Sequence, residues 1–321
     1  MSKQPLYYLL LLCLWTSCAQ EELSYPIKEQ QLPTDLTLTD AYFLDDQQGF
    51  VSAGNIFTNG LVFQTTNSGQ TWTVLDSFNQ GVHSLSLSYN GQDLLIGEAG
   101  QLLHQQSLPM NGKNTRRVDA GWWSWHSQIS LANGNVLLVG GENFGRGFVH
   151  TYNSNTNTFT LTDTFNHELR EIIQTPDGTI HAAGYGLVLR STNEGQDWEV
   201  SRLQGDFFRG IDFPSDDVGY VVGEYGTVYK TTDGGINWTN CRAGNSLFAN
   251  PDKLLRDIAF VDENTGFLVG TGSLVLRTTD GGKTWKKASN LDFKTDYQKI
   301  EIFDKVAYLM GHYGQLFRVN L

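Results

Sequence analysis

Short apolar runs next to glycine recur along the chain and predict repeated β-strands. They read LLIG at 94–97, VLLVG at 136–140, GYVVG at 219–223 and GFLVG at 266–270. Apolar runs of this length between turn residues are typical of buried strands. Around 219–223 the pattern adds a strand at 211–213, another at 227–230 and a fourth from Trp238. Each repeat thus predicts four short antiparallel strands, which form one blade of a β-propeller.

The turn before the fourth strand is a second repeated feature. It reads TTNSGQTW at 65–72, STNEGQDW at 191–198, TTDGGINW at 231–238 and TTDGGKTW at 278–285. These segments resemble the Asp-box, S/T-x-D-x-G-x-T-W, of the BNR-repeat propellers. The Asp or Asn oxygen can accept N–H groups of the turn, and the glycine allows a positive φ. We therefore expect structural boxes, not catalytic aspartates or calcium loops.

The spacing of the boxes predicts the number of blades. Trp198 and Trp238 are 40 residues apart (238 − 198), whereas Trp72 and Trp198 are 126 apart (198 − 72), or three times 42. Two blades without a box therefore lie between the first and second boxes, and the third blade resembles a kelch blade. The innermost strands are predicted to start near residues 41, 83, 126, 170, 209, 256 and 298. This makes seven blades.

The last repeat lacks a fourth strand, because the sequence after 314–319 is too short to supply one. Residues 25–32 precede the first innermost strand and have no other place in the pattern. We expect them to form the outer strand of the seventh blade, which would remove an unpaired seam. The predicted fold class is all-β, a seven-bladed β-propeller of four-stranded antiparallel blades over residues 25–321, with the ring closed by this N-terminal strand.

Residues 1–17 are interpreted as a signal peptide. Lys3 precedes an apolar stretch at 6–15, whose ten residues are too few to span a bilayer as a helix. Thr16, Ser17 and Cys18 then resemble a bacterial lipobox, with Cys18 lipidated and 18–24 as a tether. Ordinary cleavage after Ala19 is the alternative. We expect an exported protein held by a lipid anchor in the bacterial envelope, on the periplasmic or surface side of the outer membrane.

Composition excludes several classes of function. The net charge of −12 opposes binding to nucleic-acid phosphates. Cys241 is the one cysteine that follows Cys18, which leaves no disulfide and no cysteine metal site within the domain. The sequence contains no phosphate loop, zinc spacing, Ser-His-Asp arrangement or dinucleotide fingerprint, and its histidines are scattered. We expect no cofactor and no metal, and we expect a monomer.

Two repeats carry a family resemblance. FRGIDF at 208–213 and LRDIAF at 255–260 are each followed by a TTDGG run, and together they resemble the photosystem II stability/assembly factor family. The resemblance implies a seven-bladed propeller without known catalysis that chaperones a membrane partner. The basic arginines of the family's innermost strands match here at Arg170, Arg209 and Arg256. His83, His126 and Gln298 occupy the other equivalent positions, so a photosystem role is not implied.

Propeller geometry places the candidate site on one face. The starts of the innermost strands should surround the mouth of the central channel, on the same face as the loops between blades and the turns between second and third strands. Arginine and histidine there could bind a carboxylate or a phosphate, and tryptophan could stack on a sugar or bury a peptide side chain. The candidates are His83, His126, Arg170, Arg209 and Arg256 at the mouth, Glu98, Glu142, Glu224, Tyr185, Tyr225 and Tyr313 on the turns, and Trp122, Trp123 and Trp125 on one long loop.

Several alternatives stay open from sequence alone. The arginines could pair inside the channel with Glu171, Asp212 or Asp257, the tyrosines could pack between blades, and at least one tryptophan could belong to the core. The favoured function is non-catalytic binding or assembly of an envelope protein. A glycan-active enzyme is the first alternative, although the Arg-Ile-Pro motif of sialidases is absent. Non-enzymatic glycan capture is the second.

Overall fold

The computed structural model describes residues 25–55, 59–87, 93–98, 102–107, 113–117, 124–142, 144–153, 155–156, 158–242, 254–288, 291 and 293–321. These residues contain no α-helix and form antiparallel sheets in a propeller arrangement. The predictions of an all-β fold and of four-stranded antiparallel sheets are confirmed.

The first three repeats form three separate four-stranded sheets, with the strands in chain order from the channel outwards. The first sheet contains β2 (Leu38–Phe43), β3 (Gly49–Gly54), β4 (Gly60–Thr65) and β5 (Thr73–Phe78). The second contains β6 (Val82–Leu87), β7 (Asp93–Glu98), β8 (Leu102–Ser107) and β9 (Lys113–Arg117). The third contains β10 (Ser124–Ser130), β11 (Asn135–Glu142), β12 (Arg146–Asn153) and β13 (Thr158–Phe165).

The next two repeats share one long strand. A six-stranded sheet contains β14 (Leu169–Gln174), β15 (Ile180–Ser191), β16 (Glu199–Asp212), β17 (Gly219–Gly223), β18 (Val228–Thr231) and β19 (Thr239–Arg242). The first part of β16 pairs with β15, up to Phe207 opposite Tyr185. From Phe208 onwards it pairs with β17. One strand thus serves as the outer strand of one repeat and the innermost strand of the next.

The last two sheets again have four strands each. The first of them contains β20 (Leu255–Phe260), β21 (Gly266–Gly270), β22 (Leu274–Thr278) and β23 (Lys286–Lys287). The other contains β24 (Tyr297–Phe303), β25 (Val306–Gly311), β26 (Gln315–Asn320) and, outermost, β1 (Ile27–Gln31). Ile27 lies opposite Val319 and Gln31 opposite Gln315. The N-terminal segment therefore occupies the outer position that the sequence assigns to it in the last repeat.

The apolar core lies between neighbouring sheets, where the Asp-boxes contribute to it directly. The ring of Tyr220 on β17 stacks on Phe260 of the next sheet at 3.9 Å and 11°. A Cβ added to Gly282 of that sheet's box would lie 3.0 Å from the Tyr220 ring, so the glycine allows the close approach. The same contact recurs with His181, Phe213 and Gly235, and with Tyr308, Phe43 and Gly69.

The polar side chains of each box are used within its own turn. Thr278 Oγ1 accepts the N–H of Gly282 at 2.9 Å and donates to Asp280 Oδ1 at 2.8 Å. Asp280 Oδ1 also accepts the N–H of Thr284 at 2.9 Å. Equivalent bonds occur in the other three boxes. These turns lie beside the turns between first and second strands, for example where the Gly281 N–H donates to Asn264 O.

Candidate functional site

Every innermost strand carries one register shift close to its start. At this point one residue is skipped in the pairing with the second strand, as in a β-bulge, which turns a side chain away from the regular alternation. The skipped residues are Thr39, His83, His126, Arg170, Arg209, Arg256 and Gln298. All seven line a single cavity of about 480 Å³. This cavity is the channel mouth that the sequence predicts.

Thr39 is the mouth residue that sequence reasoning missed. The first innermost strand was expected to start near residue 41, but β2 begins at Leu38 and its register shift falls on Thr39. The Thr39 hydroxyl donates to the carbonyl of Val82 at 2.5 Å. The one available signal was the spacing of the repeats. Thr39 precedes His83 by 44 residues, and His83 precedes His126 by a similar 43 residues.

Three arginines make one side of the mouth cationic. Arg209 and Arg256 share the carboxylate of Glu224, at 3.4 and 2.5 Å. Arg170 pairs with Glu168 at 3.0 Å. The alternative that these arginines pair with Glu171, Asp212 or Asp257 is therefore wrong; their carboxylate partners come from a turn and a loop of the same face. Three guanidinium groups face two carboxylates, which leaves this side with a net positive charge.

Glu168 organises the boundary between the third and fourth repeats. Its Oε1 lies 2.7 Å from His126 Nε2, and its Oε2 accepts the N–H of Phe144 at 3.0 Å. Burial opposes its ionisation, but His126, Arg170 and the Phe144 N–H outweigh burial and hold its pKa below the usual value. Nothing in the sequence singles out Glu168, since glutamates in loops are common.

The mouth histidines are neutral at physiological pH. Burial, with the nearby Arg170, lowers the pKa of His126 to about 4, although the hydrogen bond and charge of Glu168 act in the opposite direction. Arg170 can only donate, so His126 Nδ1, 3.5 Å from Arg170 Nη1, is the acceptor and the ring proton lies on Nε2. Burial, with Arg170, also lowers the pKa of His83 to about 4. Positive charge at the mouth therefore comes from the arginines.

Exposed aromatic side chains surround this mouth. Of the aromatic residues that the structure describes, four are exposed: Phe144, Tyr185, Tyr225 and Tyr313, at 58, 44, 61 and 70%. Phe144, Tyr225 and Tyr313 lie on turns between second and third strands. Tyr185 lies within β15, beside Gly186 (φ 66°), at the point where β15 changes from pairing with β14 to pairing with β16. Each of the four is followed by glycine. These turns bond to the loops between blades, as where the Tyr185 N–H donates to Glu168 O. The sequence placed the three tyrosines on this face. Tyr225 and Tyr313 are mostly exposed, whereas Tyr185 also packs on His167 and Phe207.

Deeper in the channel lies a cluster of acidic side chains around one lysine. Lys299 pairs there with Glu171 and lies 3.5 Å from Asp257. These carboxylates outweigh the effect of burial and raise the pKa of Lys299 above its usual value. Burial raises the pKa of Asp212 to about 7 and that of Glu301 to about 8. Asp212 and Glu301 are therefore at least partly protonated at neutral pH, so this buried cluster adds little negative charge.

One predicted site residue is wrong. Trp125 is 1% exposed and packs on Phe159 at 5.0 Å in the core of the third sheet. It precedes the register shift at His126, which turns the histidine towards the channel and leaves the tryptophan on the core side. Trp125 cannot form part of a binding surface. Trp122, Trp123 and Cys18 lie outside the described residues.

The two other acidic candidates are placed less centrally. Glu142 is half-buried at the end of β11, where it pairs in register with Arg146. Glu98 ends β7, but its side chain lies outside the described part of the structure. Within the described ranges, no group of three or more His, Cys, Asp or Glu side chains is arranged to hold a metal ion. The same ranges contain no helix of the length and apolarity that crossing a membrane requires.

Comparison with known proteins adds a family likeness. Residues 245–318 match the family model described as photosynthesis system II assembly factor YCF48. No curated protein sequence matches the chain. The C-terminal part of the sequence therefore carries the detectable likeness.

Solved structures with the same fold extend this likeness to most of the chain. YCF48 bound to D1 peptide is 19% identical with a TM-score of 0.74, and covers 92% of this chain and 95% of its own. YCF48 from Cyanidioschyzon merolae is 16% identical with a TM-score of 0.72, and covers 92 and 98%. An inactive virginiamycin B lyase from Staphylococcus aureus with quinupristin is 12% identical with a TM-score of 0.75, and covers 92 and 99%. The chain thus resembles the photosystem II assembly factor family, in sequence over residues 245–318 and in its propeller fold over most of its length.

Proposed function

We propose that this protein is a non-catalytic binding or assembly propeller that holds a protein partner at the channel mouth. The observation that carries the proposal is the convergence of the seven shifted residues, three of them arginines, inside a ring of exposed aromatic side chains. Aromatic residues and arginine are the types enriched at the centres of protein interfaces. The similar fold of YCF48, described with a bound D1 peptide, supports a peptide or protein as the ligand.

The proposal includes a single seven-bladed domain over residues 25–321. Seven innermost strands with the same register shift support seven blades, with β16 counted in two of them. The pairing of β1 with β26 supports closure of the ring by the N-terminal strand. Closure would hold the mouth residues in fixed positions around the channel, which lowers the entropy lost on binding.

The proposed location is the bacterial envelope, with a lipid on Cys18 and residues 18–24 as a tether, in a monomeric protein. The motif at 16–18 is the support for this part of the proposal. Cys18→Ser should release the chain from the membrane fraction and abolish labelling by an alkyne fatty acid. If the wild-type protein is instead found outside the membrane fraction and begins at Gln20, the signal peptide is cleaved after Ala19.

The binding proposal is tested by crosslinking in the native cell. The variant combines Arg209→Gln and Arg256→Gln with Glu224→Gln, so that no unpaired carboxylate remains in the mouth. Because two charged contacts are lost, crosslinked partner should fall at least about tenfold. The control combines Lys286→Gln and Lys287→Gln on the exposed outer strand β23, and it should capture as much partner as wild type. Equal capture by all three proteins would rule out the mouth as the binding site.

Glycan binding is the competing function of the same face. The sequence argument for it was that tryptophan can stack on a sugar, and Trp125, one of the three candidate tryptophans, is buried. A glycan array probed with the full chain checks this alternative directly. Binding to a defined glycan that is lost in the arginine variant would replace the protein partner with a glycan.

A further inference from the structure

A line of aromatic side chains runs outwards from the arginines, along the boundary between the sheets β10–β13 and β14–β16. The Phe207 ring lies 4.9 Å from the guanidinium carbon of Arg170 and 4.8 Å from that of Arg209. Phe144 and Tyr185 each contact Phe207 with ring centroids 5.4 Å apart. This line connects the cationic side of the mouth to the exposed turns.

The line continues to a second, smaller cavity. Tyr185 contacts His167 at 5.4 Å. His167 lines a cavity of about 140 Å³ together with the polar residues Thr164, Asn166 and Arg202 and the apolar residues Phe165, Leu187 and Val200. Val200 is 45% exposed, so this cavity opens at the protein surface. A cavity of about 150 Å³ is known to hold a benzene molecule, so this one has room for one apolar side chain.

The distance between the two ends fits a short extended peptide. The first half of β15 pairs with β14 and its second half with β16, with Gly186 at a positive φ between them, so β15 counts as both the second and the third strand of this repeat. Arg170 on the innermost strand and Val200 on the fourth are then three strand spacings apart. Three spacings of about 4.8 Å give roughly 14 Å, which an extended chain covers in about four or five residues at 3.3 Å each.

We propose that this path, from Arg170 and Arg209 past Tyr185 to Val200, is a groove for an extended peptide of the partner. The peptide carries an acidic group at the arginines and, about four or five residues away, an aromatic or branched apolar side chain in the outer cavity. This inference rests on the binding function proposed above and adds the chemistry of the partner.

Charge and ring geometry favour this occupant over others. The net positive charge of the three arginines complements a carboxylate. The planes of Phe144 and Tyr185 are inclined to that of Phe207 by 67 and 57°. Rings inclined in this way form an uneven surface that accepts side chains, whereas sugar faces stack on flat, exposed rings.

The test uses random nine-residue peptides displayed on phage and selected on the purified full chain. We expect the selected peptides to share an acidic residue and an apolar residue four or five positions apart. Synthetic versions are then measured by fluorescence anisotropy against Val200→Lys, which places a charge in the outer cavity. Loss of one buried apolar side chain predicts binding weaker by about tenfold or more.

Val74→Lys is the matched control. Val74 and Val200 both follow an Asp-box tryptophan by two residues on an outer strand, and they are similarly exposed, at 50 and 45%. Val74→Lys should leave peptide affinity unchanged. Equal affinity of wild type and Val200→Lys would overturn the groove, as would selected peptides without the expected pair of residues, or glycans bound in place of peptides.

The arginine variant separates the groove from the function on which it rests. Suppose that Val200→Lys has no effect but the variant of Arg209, Arg256 and Glu224 abolishes peptide binding. The mouth is then the binding site, and the proposal of the groove is wrong. If neither variant weakens binding, both proposals fail.

Discussion

The Asp-box turns and the channel mouth are built from the same repeats, yet they use their polar side chains in opposite ways. In all four boxes the same hydroxyl and carboxyl or amide oxygens bond to the same backbone groups of their own turn. At the mouth, seven equivalent positions carry four different residue types, Thr, His, Arg and Gln. Their partners include side chains of other strands and loops, such as Glu168 and Glu224.

This difference separates stability from recognition within a single repeat. A turn whose polar atoms are satisfied internally stabilises the blade but offers little to a ligand. A position that varies from blade to blade, beside exposed aromatic rings, costs little stability and can be adapted to a partner. Substitutions on the box side should therefore lower stability, and substitutions on the mouth side should lower binding.

The sharpest test compares two tyrosines five residues apart. Tyr220→Ala removes a fully buried ring that stacks on Phe260 beside the box glycine, so the free energy of unfolding should fall by about 3–5 kcal/mol. Tyr225→Ala, at an exposed mouth position, should change it by less than about 0.5 kcal/mol. Urea denaturation of both variants measures the difference. Comparable losses of unfolding free energy in the two variants would contradict the division between a box side that stabilises and a mouth side that binds.

Acid should weaken the contact between sheets that His181 makes with Phe213, which is equivalent to the contact of Tyr220 with Phe260. His181 is buried with neither ring nitrogen bonded, and burial, aided by Arg190, lowers its pKa from 6.5 to about 4. The unfolded chain therefore takes up the proton first, and stability that is present above pH 6.5 is lost as the pH falls towards 4.

His181→Phe isolates this effect. The loss of unfolding free energy between pH 7 and pH 5 should be smaller in the variant than in wild type, by about 2 kcal/mol. Urea denaturation at the two pH values provides the comparison. Identical pH dependence in both proteins would mean that His181 takes no part in the acid sensitivity.

The smallest effect is expected within a single box. Asp280→Ala removes the acceptor for the Thr284 N–H and for the Thr278 hydroxyl, and should cost about 1–2 kcal/mol. Asp280→Asn keeps the acceptor oxygen, as Asn67 and Asn193 do in two natural boxes, and should cost less than about 0.5 kcal/mol. Thermal denaturation ranks the two variants. A larger loss for Asn than for Ala would contradict this account of the box.

Much of the fold follows from local sequence. Glycines and apolar runs fix the second strands, the boxes fix the third and fourth, and Leu255 and Tyr297 begin strands within a residue of the expected positions 256 and 298. The predicted start of β2, near residue 41, was wrong because the mouth position of this strand carries Thr39 and not a basic residue. The single long strand β16 could not be foreseen either, because its continuity depends on how two sheets meet.

The site was predictable in its position but not in its contacts. The equivalent positions of His83, His126 and the arginines follow from the repeat. The choice of Glu168 and Glu224 as partners depends on loops that approach each other only in the folded ring. The burial of Trp125 likewise depends on a register shift at the next residue, which alternation along the strand does not reveal.

The pairing of β1 with β26 also has a consequence for the time course of folding. Ile27 meets Val319, 292 positions later in the chain (319 − 27). At about 5–20 residues per second, a ribosome adds those residues in roughly 15 to 60 seconds. During that interval β1 has no partner strand, and Leu32 and Leu36 cannot pack against Tyr308 and Leu316. We expect the last sheet to be the final one to form and the one most exposed to chaperones and proteases in the newly made chain.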